Sequence, residues 1–416
     1  MKKVAILTSF VGKIDSAYSL CNVVGTQLKM LVKYGYRPTL IVRSLEEPEG
    51  IWANPAITVK QIPNLILDPV SGKVEDMEKF KKDSITTAEA LHEIVQDHDV
   101  VITHDTIFQK GELIQNAAAR MVAEELPNLR WLHWIHSGPD FKQNVPPPFN
   151  LRYIPFPHSY IVYPNYYDIG RVAEMYGMEE TDVKVCYHPI DICEFLGLSD
   201  DMMRFVDQKK ILNADIVAVY PIRLDRGKQP HKLISIFGHF KKMGRSVRLI
   251  IVDFHSTGGD KAQYREEMKR QASEIGLTRN EIIFMSEYDK RFEYKVPHEI
   301  IRDLLMISNL FIQPSETETY SLIAQEAALC KNLVVLNEDF PAMRTIYGED
   351  ALYRRFSSVL MKTTYDNENL AYYDMARYLD YYLTNDKAVA LQTKIRKTRN
   401  LDYVFTHQFE RLLYAE

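Results

Sequence analysis

Two carboxylates, Glu318 and Glu326, are separated by seven residues in the segment PSETETYSLIAQEA at positions 314–327. The preceding run LLMISNLFIQ predicts a helix end and a buried strand, and the Pro-Ser pair after it interrupts the strand. The run SLIAQEAALC predicts a helix whose first turn begins near Ser321, so Glu318 lies in the loop and Glu326 in the helix. The exposed N–H groups of a first helical turn form a seat for phosphate. The two carboxylates can then bind hydroxyls on either side of a diphosphate.

A basic loop, PIRLDRGKQ at positions 221–229, repeats the order of strand, loop and helix. It follows the apolar strand IVAVY and precedes the amphipathic stretch KLISIFGHF. Arg223 and Lys228 therefore lie at the carboxyl end of a strand, where open α/β sheets bind their ligands. Two cations at that position can neutralise a departing diphosphate, and an arginine can do so through two parallel hydrogen bonds.

In content and order, these two segments resemble those of the retaining glycosyltransferases with the GT-B fold. The resemblance is to the large family 4, or group 1, which includes bacterial mannosyltransferases, sucrose synthase and glycogen synthase-like enzymes. Arg223 and Lys228 match the family's G-R-x-x-x-x-K loop, Glu318 and Glu326 match its E-x7-E motif, and Tyr320 stands at its aromatic position. The resemblance implies that the two cations bind the donor diphosphate, that Glu318 lies near the donor sugar, and that Glu326 binds the nucleotide ribose.

The resemblance also implies donor contacts from the loop around the first glutamate and from the first loop of the chain. We expect the donor-binding set to include Thr319, Tyr320, Ser321 and Leu322. Gly12 lies in the loop VGKIDSAYS, where the family often has two glycines that allow close approach of a phosphate and the reacting sugar.

The chain departs from the family pattern at several of these positions. Ile222 replaces the glycine before the family's arginine, and Thr319 and Ser321 replace the usual glycines of the E-x7-E segment. The family's N-G-V-D-like linker is HPID here, with His188 and Pro189 in place of Asn and Gly. These changes predict a bulkier or differently shaped donor pocket.

Histidines at predicted strand ends are the candidates in the N-terminal half. His136 ends the run WLHWIH and precedes Ser-Gly-Pro, so we expect it at the start of a loop on the carboxyl edge of a sheet. It resembles the family's histidine at a corresponding strand end, which implies a hydrogen bond to the donor sugar or polarisation of the reaction centre. His133 is interpreted as structural. His104 and Asp105 end the run VITHD and are expected either to contact the acceptor or to stabilise the loop.

Strand-like and helix-like runs alternate along the whole chain, which predicts parallel α/β sheets. A first series runs from position 3 through DVVITHD and WLHWIH, and a second begins near position 211 and continues through VRLIIVD, EIIFMS, NLFIQ and NLVVLN. We predict an α/β protein with two Rossmann-like domains facing a central cleft, the GT-B fold. The expected division is an acceptor-binding domain over 1–190, a nucleotide-sugar-binding domain over 191–390, and a helical segment over 391–416 that packs back on the first domain.

Composition is that of an ordinary globular protein of 416 residues, with 46% hydrophobic and 26% charged residues. A net charge of −5 produces no global attraction to nucleic acid or anionic membrane. No apolar run reaches the roughly 20 residues needed to span a bilayer. The scattered cysteines predict reduced thiols in a cytoplasmic protein, with peripheral membrane attachment left open. The basic run KIRKTRN near the C-terminus is interpreted as a solvated helix face, with contact to a phosphate-bearing acceptor as the alternative.

The implied activity is metal-independent transfer of a sugar, with retention, from a nucleoside diphosphate sugar, a UDP- or GDP-sugar, to an acceptor hydroxyl. The triplet Asp97, His98 and Asp99 looks like a D-x-D metal motif, but its place before a strand favours a helix-to-strand turn. The acceptor can be a glycan, a lipid, a protein or a modified nucleic-acid base. The other function classes considered are a sugar-nucleotide epimerase and a noncatalytic nucleotide-sugar binding protein.

Overall fold

The computed structural model describes residues 1–67, 76–139, 144–254, 260–361, 364–365 and 367–414. The chain divides into two compact units, one formed by Met1–Asp191 with Leu401–Glu416 and the other by Ile192–Asn400. Each unit contains a parallel sheet with helices on both faces. The predicted fold class, α/β with two Rossmann-like domains, is confirmed.

The described part of the first unit has a parallel sheet of seven strands in the order β3-β2-β1-β4-β5-β6-β7. The strands are β1 (Val4–Leu7), β2 (Thr39–Val42), β3 (Thr58–Gln61), β4 (Val100–His104), β5 (Arg130–Trp134), β6 (Ser159–Tyr163) and β7 (Val183–Val185). The α-helices are α1 (Ser19–Lys33), α2 (Met77–Val95), α3 (Leu113–Glu125) and α4 (Ile169–Tyr176), with 3₁₀ turns at Gly50–Ala53, Lys110–Glu112, Phe149–Tyr153 and Glu180–Asp182. The strand order reverses between β1 and β4, so their carboxyl ends flank a crevice.

The described part of the second unit has a parallel sheet of six strands in the order β10-β9-β8-β11-β12-β13. The strands are β8 (Ile216–Arg223), β9 (Val247–Phe254), β10 (Ile282–Phe284), β11 (Leu310–Gln313), β12 (Leu333–Asn337) and β13 (Leu352–Arg354). Its α-helices are α5 (Ile192–Phe195), α6 (Asp200–Gln208), α7 (Pro230–Lys242), α8 (Lys261–Glu274), α9 (Met285–Tyr288), α10 (His298–Ile307), α11 (Leu322–Leu329), α12 (Pro341–Tyr347), α13 (Ser358–Met361), α14 (Glu368–Asn385) and α15 (Lys387–Thr398), with 3₁₀ turns at Ile211–Asn213, Arg226–Lys228 and Lys290–Phe292. The order of this sheet reverses between β8 and β11.

The central strands are apolar on both sides because helices cover both faces of each sheet. In β1, Ala5 and Leu7 join one core, whereas Val4 and Ile6 join the core on the opposite face. The second unit has a core of its own, formed by β8, β9 and β11 with the helices packed on them. The turn at 97–99 leads from α2 into β4, and Asp99 accepts the main-chain N–H of Lys3 at 2.7 Å.

The C-terminal segment belongs to the first unit only from Leu401 onward. It comprises α16 (Leu401–Val404), a π-helical turn at Phe405–Phe409 and α17 (Glu410–Tyr414). Phe405 and Phe409 are fully buried in the same core as Val4 and Ile6. Residues 391–400, which we expected to accompany this segment, lie instead in the second unit.

Arg396 shows why the second unit extends to residue 400. Its side chain is buried, and its Nη1 atom donates to the main-chain oxygens of Ile211 at 3.1 Å and Leu212 at 3.3 Å. Burial lowers the pKa of Arg396 to about 10. Lys397 forms an ion pair with Asp215. The interpretation of KIRKTRN as a solvated face is therefore wrong for these two residues, whose side chains attach α15 to the second unit.

Replacing Arg396 by Met is expected to lower the free energy of unfolding by about 2–4 kcal/mol, because the two carbonyl groups lose their buried donor. Chemical denaturation followed by circular dichroism measures this change. The matched control is Lys394→Met, since Lys394 is an exposed cation on the same helix. Equal, small effects of both substitutions would contradict the structural role of Arg396.

Candidate functional site

The two segments that the sequence singled out follow adjacent strands at the reversal point of the second sheet. Arg223 is the last residue of β8, and the loop 314–321 follows β11. These strands pair in parallel, so their carboxyl ends lie side by side. Open α/β sheets bind ligands in the crevice at such a point. The structure therefore brings the basic loop and the first glutamate to one site.

A hydrogen-bonded network holds Glu318 in this site. Its Oε2 atom accepts from Lys228 Nζ at 3.0 Å and from Gln313 Nε2 at 3.0 Å. The oxygen of the Gln313 amide accepts from the hydroxyl of Ser321 at 2.6 Å. Sequence reasoning missed Gln313, although a polar residue that ends the apolar run NLFIQ is a signal of this kind. The network fixes the carboxylate beside the lysine.

Buried groups below the network position the basic loop. The hydroxyl of Tyr220 bonds to the main-chain oxygen of Lys228 at 2.8 Å and to Ser315 Oγ at 3.0 Å. The Asp225 side chain accepts the main-chain N–H of Lys228 at 3.1 Å. Tyr220 also escaped the sequence analysis, since it reads there as one more apolar strand residue. Together these bonds make the loops after β8 and β11 one connected unit.

The Arg223 guanidinium lines the same pocket but differs from Lys228 in its contacts. The pocket is small, about 250 Å³, and is lined by Tyr220, Pro221, Ile222, Arg223, Lys228, Phe254, Gln313, Ser315, Glu318 and Ile323. Arg223 is exposed, and within the described ranges its side chain has no hydrogen bond or ion pair. Ile222, at the position where the resemblance has a glycine, lines the pocket. One paired and one unpaired cation leave a net positive charge for an anionic ligand.

The other residues predicted to bind the donor surround the start of α11. Ser321 is the residue before the helix and has a φ of +63°, a left-handed conformation. Thr319 donates its main-chain N–H to Glu318 Oε1 at 3.3 Å. Tyr320 and Leu322 are exposed, and the Tyr320 hydroxyl accepts from Gln325 at 3.0 Å. None of these four residues lines the pocket beside Arg223.

Glu326 lies in α11 as predicted, but its carboxylate has a different partner. Its Oε1 atom is 3.0 Å from Nε2 of His298, the first residue of α10. Glu326 is not among the residues that line the pocket beside Arg223. A ribose hydroxyl would have to share this carboxylate with His298 or displace His298 from it.

The first unit brings together His104, His136 and His188 at the carboxyl edge of its sheet. His104 ends β4, His136 follows β5 by two residues, and His188 follows β7 by three. The rings stack with centroids 5.2 and 5.0 Å apart. His104 Nδ1 lies 2.9 Å from His136 Nε2, and His136 Nδ1 lies 3.3 Å from His188 Nε2. Both ring nitrogens of His136 are thus engaged within the first unit.

Burial keeps these three rings neutral. It lowers the pKa of His136 and of His188 to about 4 each, and that of fully buried His104 well below its usual value. Asp105 has a left-handed backbone, with φ of +53°, and accepts the main-chain N–H of His136 at 2.8 Å. Burial raises the pKa of the Asp105 carboxyl. Asp105 therefore stabilises the loop after β5, one of the two roles expected for it.

His133 and Gly12 complete the predicted set. His133 is fully buried, and its Nδ1 lies 2.8 Å from the hydroxyl of Thr103, as expected of a structural residue. Gly12 has a φ of +75°, which favours glycine, and its N–H donates to Ser44 Oγ at 2.8 Å. A pocket of about 490 Å³ lies in the same loop, lined by Ser9, Phe10, Val11, Lys13, Ile14, Asp15, Ala17, Tyr18 and Cys21.

The lowered histidine pKa values predict a pH-dependent stability. An unfolded histidine titrates near 6.5, so between pH 6.5 and 4 the unfolded chain binds protons that folded His136 and His188 do not. Stability contributed by these rings is complete above pH 6.5 and is lost as the pH falls toward 4. When the pH is lowered from 7 to 5, the free energy of unfolding should fall less in His188→Asn than in the wild type. The difference between the two decreases should be on the order of 1–2 kcal/mol.

Urea denaturation at the two pH values measures this difference. His407→Asn is the matched control, because His407 is an exposed histidine of the same unit. The control should lose as much stability as the wild type. An equal loss in all three proteins would contradict burial as the cause of the lowered pKa values.

Among the described residues, no group of three or more His, Cys, Asp or Glu side chains is arranged to hold a metal ion. In the same ranges, no helix combines the length and apolar character that a membrane span requires. Cys21 and Cys186 are free thiols and are buried. A free cysteine at such a position packs as a small hydrophobic side chain.

Comparison with known proteins assigns a class to the second unit. Residues 203–371 match the family model described as Glycosyl transferases group 1. The match covers less than half of the chain and lies within the second unit, which contains the pocket beside Arg223. The predicted enzyme class, a glycosyltransferase, is confirmed by this domain. No curated protein matches the chain by sequence.

Several solved structures resemble the chain only distantly. Anabaena HepE, in complex with UDP and glucose, has 15% identity and a TM-score of 0.39, and the alignment covers 100% of both chains. The UDP-forming α,α-trehalose-phosphate synthase of Burkholderia xenovorans, in complex with glucose-6-phosphate, has 13% identity and a TM-score of 0.37, covering 99% of this chain and 100% of that one. Sucrose-phosphate synthase of Thermosynechococcus elongatus has 14% identity and a TM-score of 0.34, covering 99% and 97%.

Proposed function

We propose that the protein transfers a sugar from a nucleoside diphosphate sugar, a UDP- or GDP-sugar, to an acceptor hydroxyl with retention at the anomeric carbon and without a metal ion. The observation that carries the proposal is the pair of cations in the group 1 domain. Arg223, which has no partner in the described ranges, lies in one pocket with the Lys228–Glu318 ion pair at the reversal point of the sheet. This arrangement suits a diphosphate next to a sugar.

The charges of the reaction explain the use of two cations. As the bond between the anomeric carbon and the diphosphate oxygen breaks, negative charge grows on the diphosphate and positive charge on the sugar ring. Arg223 and Lys228 stabilise the departing diphosphate, and the carboxylate of Glu318 lies beside the sugar. In same-face attack, the acceptor oxygen bonds to the anomeric carbon while its proton passes to the departing phosphate oxygen. No covalent intermediate with the protein is needed.

The remaining residues receive roles from the family resemblance. Glu326 binds the ribose hydroxyls and releases His298 when it does so, and Ser321 immediately precedes the helix whose N–H groups face the phosphate. Thr319, Tyr320 and Leu322 border the donor. Gly12 belongs to the donor side as well, and His136 bonds to the donor sugar or polarises the reaction centre. Within the first unit, which we assign to the acceptor, His104 and Asp105 at the end of β4 are the residues proposed to contact it.

A binding and turnover screen tests the proposed function. Purified protein with EDTA is titrated with UDP-, GDP-, ADP-, CDP- and dTDP-sugars, and any bound donor is incubated with glycan, lipid, peptide and nucleic-acid acceptors. Selective binding with slow release of the nucleoside diphosphate is expected, and NMR of the product should show the donor's anomeric configuration.

Three other results would overturn the proposal in different ways. Isomerisation of the sugar nucleotide without an acceptor would identify an epimerase. Tight binding with neither transfer nor hydrolysis across the panel would identify a noncatalytic binding protein. Absence of binding to every donor would exclude the nucleotide-sugar site itself.

A further inference from the structure

Hydrogen bonds join the three stacked histidines of the first unit into a chain of rings. One end of this histidine chain is anchored by a hydrogen bond to a buried side chain, and the other end is open, without a partner among the described residues. At the anchored end, His104 Nε2 lies 3.0 Å from the side-chain oxygen of Gln27, and both residues are 2% exposed. At the open end, His188 is half-buried, and its Nδ1 atom has no hydrogen-bond partner among the described residues. The chain thus leads from the interior of the unit to its surface.

The anchored end determines the direction of every hydrogen bond in the chain. An amide oxygen only accepts, so Nε2 of His104 must carry a proton, and Nδ1 of that neutral ring must accept. His136 then donates from Nε2 and accepts at Nδ1. By the same reasoning, His188 donates from Nε2 to His136. The Nδ1 atom of His188 is left as an acceptor.

The open acceptor lies on the carboxyl edge of the sheet, the edge at which open α/β sheets bind ligands. His188 follows β7, and His136, which follows β5, links it to His104 at the end of β4, one of the two strands at the reversal point. His136, to which the family resemblance gives the substrate contact, has both ring nitrogens engaged and cannot make that contact without breaking the chain. A neutral imidazole nitrogen with a lone pair accepts well from a hydroxyl.

We propose that His188 Nδ1 accepts a hydrogen bond from a sugar hydroxyl of the donor or the acceptor, and that Gln27, His104 and His136 are positioning residues that hold it in this tautomer. The inference rests on the proposed function for its ligand. It adds a substrate-binding residue at the position where the family's linker has Asn. It also explains a row of three stacked histidines, one buried and two half-buried, that the donor site of the second unit does not use.

Nitrogen NMR tests the direction of the chain without any activity measurement. In protein labelled with ¹⁵N-histidine, long-range ¹H–¹⁵N spectra distinguish protonated from unprotonated ring nitrogens. At pH 7 we expect all three rings to be neutral with the proton on Nε2. Gln27→Met removes the anchoring acceptor and should produce a mixture of tautomers at His188. A proton on Nδ1 of His188 in the wild type overturns the inference.

Substitution of His188 tests the contact itself, with UDP-glucose and GDP-mannose as the probes. His188→Phe keeps a ring and removes both nitrogens, whereas His188→Asn retains a side-chain acceptor. Loss of one uncharged hydrogen bond should weaken binding of the substrate that carries the hydroxyl, donor or acceptor, about tenfold in the Phe variant. The Asn variant should recover a large part of this loss. His407→Asn is the control at an exposed position of the same unit.

The measured quantities separate the two sources of the hydroxyl. If it belongs to the donor sugar, the Phe variant binds the sugar nucleotide more weakly while its affinity for UDP or GDP alone is unchanged. If it belongs to the acceptor, donor affinity stays unchanged and the acceptor KM rises. Unchanged values in both measurements overturn the contact. If the wild type binds no sugar nucleotide, the proposed function fails, and the tautomer measurement still decides the direction of the chain.

Discussion

Arg223→Ala and Lys228→Ala should each lower turnover of the sugar nucleotide by about 10²- to 10³-fold, with little effect on stability. Each substitution removes a cation from the place where the diphosphate gains charge, and such preorganised contacts contribute most in the transition state. Both side chains lie in the pocket at the reversal point of the second sheet. Since Arg223 is exposed and has no partner in the described ranges, its loss should change the unfolding free energy by less than about 1 kcal/mol.

Arg226 supplies the matched control for this experiment. It belongs to the same loop, but its guanidinium pairs with Glu267 at 2.8 Å and does not line the pocket. Arg226→Ala should therefore retain turnover within a few-fold of the wild type. Steady-state release of the nucleoside diphosphate measures all three variants. Near-normal turnover in both the Arg223 and Lys228 variants would remove this pocket as the donor site.

The two glutamates should respond differently to substitution by Gln. Glu318→Gln loses the ion pair with Lys228, so the lysine is no longer held beside the sugar. We expect turnover to fall about 10- to 100-fold, the range for a hydrogen bond to a charged group, with nucleotide affinity nearly unchanged. Glu326→Gln should instead weaken nucleotide binding about tenfold, because its carboxylate is the proposed partner of the ribose hydroxyls.

Calorimetric titration with UDP and GDP, together with turnover of the matching sugar nucleotides, separates these two effects. Glu316 is the control, since it lies in the same loop and its carboxylate bonds to Gln229 outside the pocket. Glu316→Gln should change neither quantity more than a few-fold. Identical profiles for the Glu318 and Glu326 variants would contradict the division of labour between them.

The amino-acid sequence by itself determined the α/β class, the order of elements and those residues of the proposed donor site that follow from local spacing. Alternating apolar strands and amphipathic helices predict parallel sheets, because each strand must be covered on both faces. A loop placed after a strand also predicts which edge of the sheet its side chains reach. For this reason Arg223, Lys228 and Glu318 were predicted together, although 95 positions separate the first from the last.

Only the tertiary structure decided which side chains share hydrogen bonds, since partners from different elements leave no local pattern in the sequence. Gln313 and Tyr220 read as strand residues, yet they hold the glutamate and the lysine in place. Arg396 reads as part of a solvated basic face, yet it is buried and keeps α15 on the second unit. His136 was predicted as a site residue because it ends a strand-like run. The histidine chain that engages both of its ring nitrogens, however, depends on Gln27 and His188, which come from a helix and a distant loop. Such contacts form only when folding brings remote segments to one edge of a sheet.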